Sequence, residues 1–419
     1  EPPPRAPDGV DLSAADSGEL LFHLSLDAAA AHPTPEPPFA VGSEYRALAG
    51  WSADDHAAAL PALQSSCDWF ARNAPHRRID YGDLVGTVAD WHAICAEVPA
   101  LSATKADDVR VFFERHFVPV SVGPSAQSEG LFTGYYAPSL RGSWVKTSRF
   151  STPIYRKPAR AAGRRLPPRA GIVNGALDGK GLELLWVDDA VDAYFLEIQG
   201  SGTVVMADGS VVAVGYAGQN GHSYYPIGRT LVDSEVTTMD ALSMEMIRDW
   251  LRDHPDQAQP LMNLNPSYVF FKLNEGGVVE GTIEEPLTPG RSIAVDPDHV
   301  PLGVALWLDV ADVPAPGCRL RRLVMAHDTG GSIEGVMRGD LFWGYGEAPG
   351  RHAGGMRARG WYTMLVPRAV LDTIDVPPAQ RSKGPPPLAD AVAGPPAPAC
   401  AIADPADGAD DDGFEIDLS

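Results

Sequence analysis

Positive charge, cysteine and long apolar runs are all scarce in this chain. Only 33 Lys+Arg stand against 55 Asp+Glu, a net charge of −22. That balance argues against a nucleic-acid partner, because gripping a phosphate backbone needs a basic surface. No apolar stretch approaches the roughly 18–20 residues that a spanning helix needs, which excludes a membrane-embedded body. The cysteines are Cys67, Cys95, Cys318 and Cys400, with no C-x-x-C spacing. They are few for a disulfide scaffold and wrongly spaced for structural zinc. The histidines form no H-x-x-x-H pair, and no G-x-S-x-G elbow occurs, so a serine hydrolase lacks support. Neither a metal nor a cofactor is called for.

What is present suits a turn-rich, multi-domain protein. The 419 residues, 44% of them hydrophobic, provide for two or three cores. Gly 42 and Pro 39 favour many turns over a helical bundle. The charge is concentrated at the ends: residues 1–40 carry one Arg and seven acids, and 401–419 carry seven acids and no base. Residues 1–40 and 377–400 hold eight prolines each. These segments cannot bury enough apolar surface to offset their ordering entropy, so a disordered arm (1–40) and a disordered tail (373–419) are expected. The first residue is Glu1 rather than Met, which leaves room for a removed leader, although none is visible.

The folded region, about 41–372, opens with helical spacing. Ser52 and Asp55 have the spacing of a capping box, followed by Leu60, Leu63, Cys67 and Phe70 on one stripe. A second stripe runs Leu84, Val88, Trp91, Cys95, and a third Val109, Phe112, Phe113, Phe117. If the first two helices pack face to face, Cys67 and Cys95 either pair or remain two buried thiols. From Gly130 the pattern changes to short runs read as strands: 131–136, 182–187, 194–199, 211–216, 268–272, 306–308, 323–326 and 361–366. One helix interrupts them, with Leu242, Met246, Ile247, Trp250 and Leu251 on one face before Pro255. Without βαβ alternation, a doubly wound parallel sheet is disfavoured.

The densest segment is 321–346, RRLVMAHDTGGSIEGVMRGDLFWGYG. A strand runs into Asp328-Thr329-Gly330-Gly331, a turn by its glycine content. Asp340 follows between Gly339 and Leu341-Phe342-Trp343. A carboxyl beside water-excluding aromatics has its pKa raised toward the range useful to a general acid. Asp296 is a third candidate, at an apolar strand end. An Asp in a Gly-rich turn is also a common backbone cap, and spacing alone does not choose among the three. Asp-Thr-Gly suggests an aspartic protease too, but that chemistry needs two such loops and this chain has one. Gly344-Tyr345-Gly346 lacks the context of a phosphate loop and reads as a turn. Tyr135, Tyr136, Tyr216, Tyr224, Tyr225, Trp343 and Tyr345, interspersed with Gln199, Asn220 and Arg229, are the aromatic and amide mixture that a sugar polymer needs.

Several segments together resemble the membrane-bound lytic murein transglycosylase A (MltA) family: GLFTGYYAPSLRGS (130–143), YFLEIQGSGTV (194–204), VGYAGQNGHSYYPIGRTL (214–231), SMEMIRDWLRDHP (243–255), NPSYVFFKL (265–273), PLTPGRSIAVDP (286–297) and DTGGSIEGVMRGDLFWGYG (328–346). The last part resembles the 3D domain, whose three aspartates fall on Asp296, Asp328 and Asp340. The resemblance implies a mainly β (α+β) fold. A double-psi β-barrel domain with N-terminal helices would comprise 41–138 and 238–372, with the 3D domain at about 285–367. A smaller β-barrel would be inserted over 139–237, and a deep groove between the two would hold the glycan.

The implied reaction cleaves the β-1,4 bond between N-acetylmuramic acid and N-acetylglucosamine without water. Asp340 would protonate the glycosidic oxygen, then accept the proton of the muramoyl C6 hydroxyl as it closes a 1,6-anhydro ring. The substrate carries its own nucleophile, so one carboxylate suffices where glycosidases usually need two. Asp328 would orient the loop or stabilise the developing cation, and Asp296 would be structural. Thr133, Gly134, Tyr135, Tyr136, Gln199, Gly200, Asn220, Tyr224, Glu245 and Trp343 would bind substrate. Peptidoglycan strands are the implied partner, and cell-wall machinery remains open. The periplasm or the periplasmic face of a Gram-negative outer membrane is the implied place. Two departures from the family pattern stand out. Ala137 occupies a position where many members carry Glu, and Glu245 one where Gln is frequent. A non-catalytic peptidoglycan-binding protein on the same scaffold is the alternative.

Overall fold

The structure is a computed structural model that describes residues 40–41, 44–81, 84–101, 105–121, 129–159, 165–239, 241–313 and 317–372. The arm over 1–39, the tail over 373–419 and Cys400 lie outside the described residues. The described residues fall into two compact units. One comprises those within 34–135, 281–344 and 348–372, and the other Tyr136–Glu280 with Tyr345–Glu347.

The first unit begins with short helices. Pro61 lies in the first turn of helix Leu60–Arg72, where its missing N–H has no intrahelical partner to lose. This fixes where the helix can start, and the expected Ser52/Asp55 capping box does not form. Trp51–Ala53 and His56–Ala59 are separate 3-10 turns, and the Asp55 side chain caps the second by accepting from Ala57 N. The second helix is also shorter than its stripe. Leu84 belongs to strand Leu84–Thr87, and helix Val88–Cys95 starts at a different box, Thr87 N donating to Asp90 Oδ2 at 2.7 Å. Cys67 and Cys95 do pair, as a disulfide joining the two helices with Cα atoms 5.4 Å apart. The third helix is Ala106–His116, and Phe117 opens strand Phe117–Ser121.

An eight-stranded sheet forms the body of this unit. Gly130–Ala137 pairs with both Arg338–Tyr345 and Arg357–Pro367, so six of the strands close on themselves in a barrel-like ring. The others in the ring are Ala305–Ala311, Arg319–Asp328 and Ser292–Val295. Closure leaves these strands no unpaired edge. Phe132, Ile293, Leu306, Leu308, Val324 and Phe342 are fully buried. Ser292–Val295 runs parallel to Arg319–Asp328 but antiparallel to Arg338–Tyr345. That arrangement places the ends of the two aspartate strands side by side.

The second unit holds a six-stranded sheet in the order Val269–Leu273, Val211–Gln219, Gly202–Met206, Ser139–Ser143, Glu183–Val187, Thr152–Tyr155. A bridge from Arg156 to Phe271 joins its two outer strands. Leu140, Leu185, Val204, Val214 and Phe271 pack in one core. Helices Ala190–Gln199, Met244–Asp253 and Pro255–Met262 supply another, through Phe195, Ile247, Leu251 and Leu261. The unit thus runs to Glu280, beyond the expected end at 237.

The run 194–199, expected as a strand, is the C-terminal half of helix Ala190–Gln199. Asp189 accepts from Val191 N and Asp192 N at its start, and Gly200, at φ 79°, ends it. Residues 193 to 197 are all buried, so this helix shows no polar stripe to betray its 3.6-residue period. A short run apolar on every side reads equally well as a buried strand.

Candidate active site

Pairing register positions the two aspartates. Ala294 lies opposite Asp328 on one neighbouring strand and opposite Asp340 on the other. The parallel register slips by one residue between Ile293 and Ala294, and two strand spacings put the two aspartate backbones about 10 Å apart.

Asp340 is held by the strand that completes the ring. Thr133 Oγ1 donates to Asp340 Oδ1 at 2.8 Å, and Arg338 Nη2 donates to Thr133 Oγ1 at 3.0 Å. The guanidinium occupies a lone pair of the hydroxyl and so directs the hydroxyl proton onto the carboxylate. Arg338 is buried and also donates to the carbonyls of Leu131 and Gly339. Burial raises the Asp340 carboxyl to about 6, against the pull of Arg338 and the Thr133 hydrogen bond, and the Asp328 charge adds to the rise. A carboxyl at that position is protonated in part near neutrality and exchanges its proton readily.

Asp328 is the more fully bonded group. Its Oδ1 accepts from Thr282 N at 3.0 Å, Thr282 Oγ1 at 2.8 Å and Thr329 N at 2.9 Å. Its Oδ2 accepts from the Tyr135 hydroxyl at 3.0 Å. Burial pushes its pKa up and these donors pull it down, the net direction being upward. Thr133 and Tyr135 are two apart on one strand, so each serves one aspartate from the same face.

The other candidates divide. Asp296 accepts from Asp298 N at 3.0 Å and Gly335 N at 2.6 Å, which ties two turns together. Gly134 is where it is for packing: a Cβ there would approach Trp343 Nε1 to 2.5 Å. Trp343, expected to stack on sugar, is 4% exposed, donates to Met356 Sδ and stacks on His352. Its ring faces are inside the protein, and that expectation is corrected. His327 is also interior, between Ser66 and Ser292 at 2.9 Å each, and burial lowers it to about 3.

The remaining candidates belong to the second unit. Tyr136 N donates to Gln199 Oε1 at 3.2 Å, and its hydroxyl accepts from Arg248 at 2.7 Å. Gly200 is the helix terminator already described. Asn220, expected to reach substrate, is 2% exposed and satisfied: it donates to the carbonyls of Pro167 and Pro266 and accepts from His222 N and Tyr268 N. It is corrected to a loop-holding role. Tyr224 is exposed, as is Glu245 in the first turn of helix Met244–Asp253.

Arg338 and Thr282 escaped the sequence reading. A signal existed for the first, since a strand places Arg338 and Asp340 on one face. None existed for Thr282, which meets Asp328 across 46 positions through tertiary folding alone.

This closed sheet and its inserted unit match known proteins. A family profile described as the MltA specific insert domain covers residues 131–272, and one described as the 3D domain covers 291–366. Membrane-bound lytic murein transglycosylase A of Vibrio cholerae is 34% identical over 238 residues, 55% of this chain and 64% of that protein. The match thus spans just under two thirds of that curated relative's length. A solved membrane-bound lytic murein transglycosylase from Agrobacterium tumefaciens is 30% identical with a TM-score of 0.69, over 80% of this chain and 99% of that one. Escherichia coli MltA with bound chitohexaose is 26% identical with a TM-score of 0.61, over 79% and 94%. The chain is therefore a 3D-domain protein carrying an MltA-type insert. It belongs to the membrane-bound lytic murein transglycosylase A family.

Proposed function

We propose that the chain is a peptidoglycan lytic transglycosylase with Asp340 as its single acid/base. The observation that carries this reading is the carboxyl of Asp340, raised to about 6 while anchored through one oxygen by Thr133. Oδ1 is taken by the hydroxyl, whereas Oδ2 accepts no hydrogen bond from the described residues. The proton therefore resides on Oδ2 and is given from there to the glycosidic oxygen between N-acetylmuramic acid and N-acetylglucosamine. The same oxygen, now basic, removes the proton of the muramoyl C6 hydroxyl as that hydroxyl attacks C1. The product ends in 1,6-anhydromuramic acid. Both reacting groups belong to one sugar, so the closure benefits from high effective molarity.

Asp328, held by its four donors, fixes the loop and in its ionised form stabilises positive charge developing at C1. Asp296 keeps the adjoining turns in place. The ring-shaped sheet is read as a double-psi barrel and the second unit as the inserted barrel. Peptidoglycan strands are the substrate, in keeping with the chitohexaose held by the Escherichia coli relative. The periplasmic side of a Gram-negative envelope is the proposed location. Among the described residues no helix is long and apolar enough to cross a membrane.

The test is mass spectrometry of the soluble products released from purified peptidoglycan, with Asp340→Asn in parallel. Muropeptides ending in 1,6-anhydromuramic acid, absent with the variant, are expected. Reducing ends would mean that water is the nucleophile. Binding without release by the unaltered chain would mean a non-catalytic peptidoglycan-binding protein.

A further inference from the structure

The second unit contains a cavity of about 240 Å³ that the cleavage reading leaves unused. It is smaller than the roughly 300–1,000 Å³ typical of sites for drug-sized ligands, so its occupant is small. Its walls are aromatic: Trp186, Tyr155, Tyr194 and Tyr268. Behind them Arg169 lies against the Tyr194 and Tyr268 rings, at 4.5 and 5.3 Å. That guanidinium is consumed internally. It is bidentate to Glu197 at 2.9 and 2.8 Å and donates to the carbonyls of Asn265 and Ser267. The pair forms a rigid floor in which the two charges neutralise each other.

Two other charged groups line the cavity and are not neutralised. Lys146 Nζ lies 5.0 Å from the Trp186 ring centroid and has no carboxylate partner among the described residues. Asp178, exposed, accepts among the described residues only the Tyr155 hydroxyl, at 3.2 Å. A cation and an anion on the wall of one aromatic cavity suit a ligand that carries both charges with a short apolar stretch between. A neutral sugar would leave both side chains unmatched.

We propose that this cavity binds a short free peptide released from the cell wall, with its carboxylate at Lys146, its ammonium toward Asp178 and its methyl groups on the tyrosines. The proposal rests on peptidoglycan as the substrate, whose glycan strands carry such peptides. It assigns the second unit a peptide-recognition role separate from the aspartates.

The test uses the intact chain and isothermal titration, with D-alanyl-D-alanine as the free acid, the same dipeptide amidated at its C-terminus, and chitotriose. Saturable binding of the free acid is expected, at least about tenfold weaker for the amide and for Lys146→Ala, as loss of one charge-assisted bond implies. Asp178→Asn should weaken the free acid as well. Both side chains are exposed, so the variants fold, which circular dichroism verifies. No saturable binding, equal binding of the amide, or displacement of the dipeptide by chitotriose would each overturn the proposal. Asp340→Asn binds the dipeptide unchanged. Failure to cleave peptidoglycan and failure to bind the dipeptide are therefore read independently.

Discussion

Thr133 and Asp340 are 207 positions apart in the sequence, yet the threonine hydroxyl donates to the aspartate Oδ1 at 2.8 Å. The contact exists because the first and fifth strands of the ring become neighbours when it closes. It sets which oxygen of the carboxyl is free.

Replacing Thr133 with Val tests that bond at nearly constant volume. The hydrogen bond stabilises the ionised form, so its loss raises the Asp340 pKa further. The alkaline limb of the pH–rate profile should move to higher pH. At the same time kcat should fall about tenfold, because the carboxyl loses its orientation and Arg338 loses an acceptor. An unchanged profile would mean that Asp340 does not donate the proton.

Asp340 also has a cost in stability with a definite pH dependence. Its carboxyl stands at about 6 in the folded chain against an ordinary 3.8. Its contribution is therefore full below the unfolded value and is lost as pH rises through about 6. Asp340→Asn removes the buried charge, so urea unfolding at pH 7.5 should show a gain of about 1–3 kcal/mol. The gain should disappear at pH 3.5. A variant less stable at both pH values would contradict this account.

Gly134→Ala should be destabilising, because a Cβ meets Trp343 Nε1 at 2.5 Å and the Ala353 backbone at 2.9 Å. Overpacking of this kind costs about 1–3 kcal/mol. Gly134 also lies between Thr133 and Tyr135, so peptidoglycan release should fall along with the melting temperature. Loss of stability with full activity would show that the strand tolerates the shift.

The Cys67–Cys95 bridge closes a loop with a sequence separation of 28. Restricting such a loop in the unfolded chain is worth about 3–4 kcal/mol. A Cys67→Ala, Cys95→Ala double variant should lose that amount in denaturant titration, and an unchanged unfolding midpoint would contradict this account.

Much of the architecture was legible because local patterns matched local structure. The short aromatic run at 131–136, the single-striped helix at 244–253 and the Asp340 segment among aromatics each advertise their state within a few residues. Helix Ala190–Gln199 was not legible, since burial on all sides erased its period. The capping box at Ser52 misled because Pro61, further along, dictates where the helix begins. Trp343 and Asn220 looked like ligand-facing residues, yet residue type does not tell which face of a segment is covered. Trp343 is enclosed by Gly134, His352 and Met356, and Asn220 by two proline carbonyls.

By itself the sequence determined most of the element types, the acidic balance and the presence of one aspartate in a water-excluding segment. These depend on composition and short-range periodicity. Only the tertiary structure decided that Ala294 would separate Asp328 from Asp340, that Thr133 and Arg338 would fix one carboxyl oxygen, and that Lys146 and Asp178 would line one cavity. Such relations arise from strand register and ring closure, which join segments far apart in the chain and leave no mark in either segment alone.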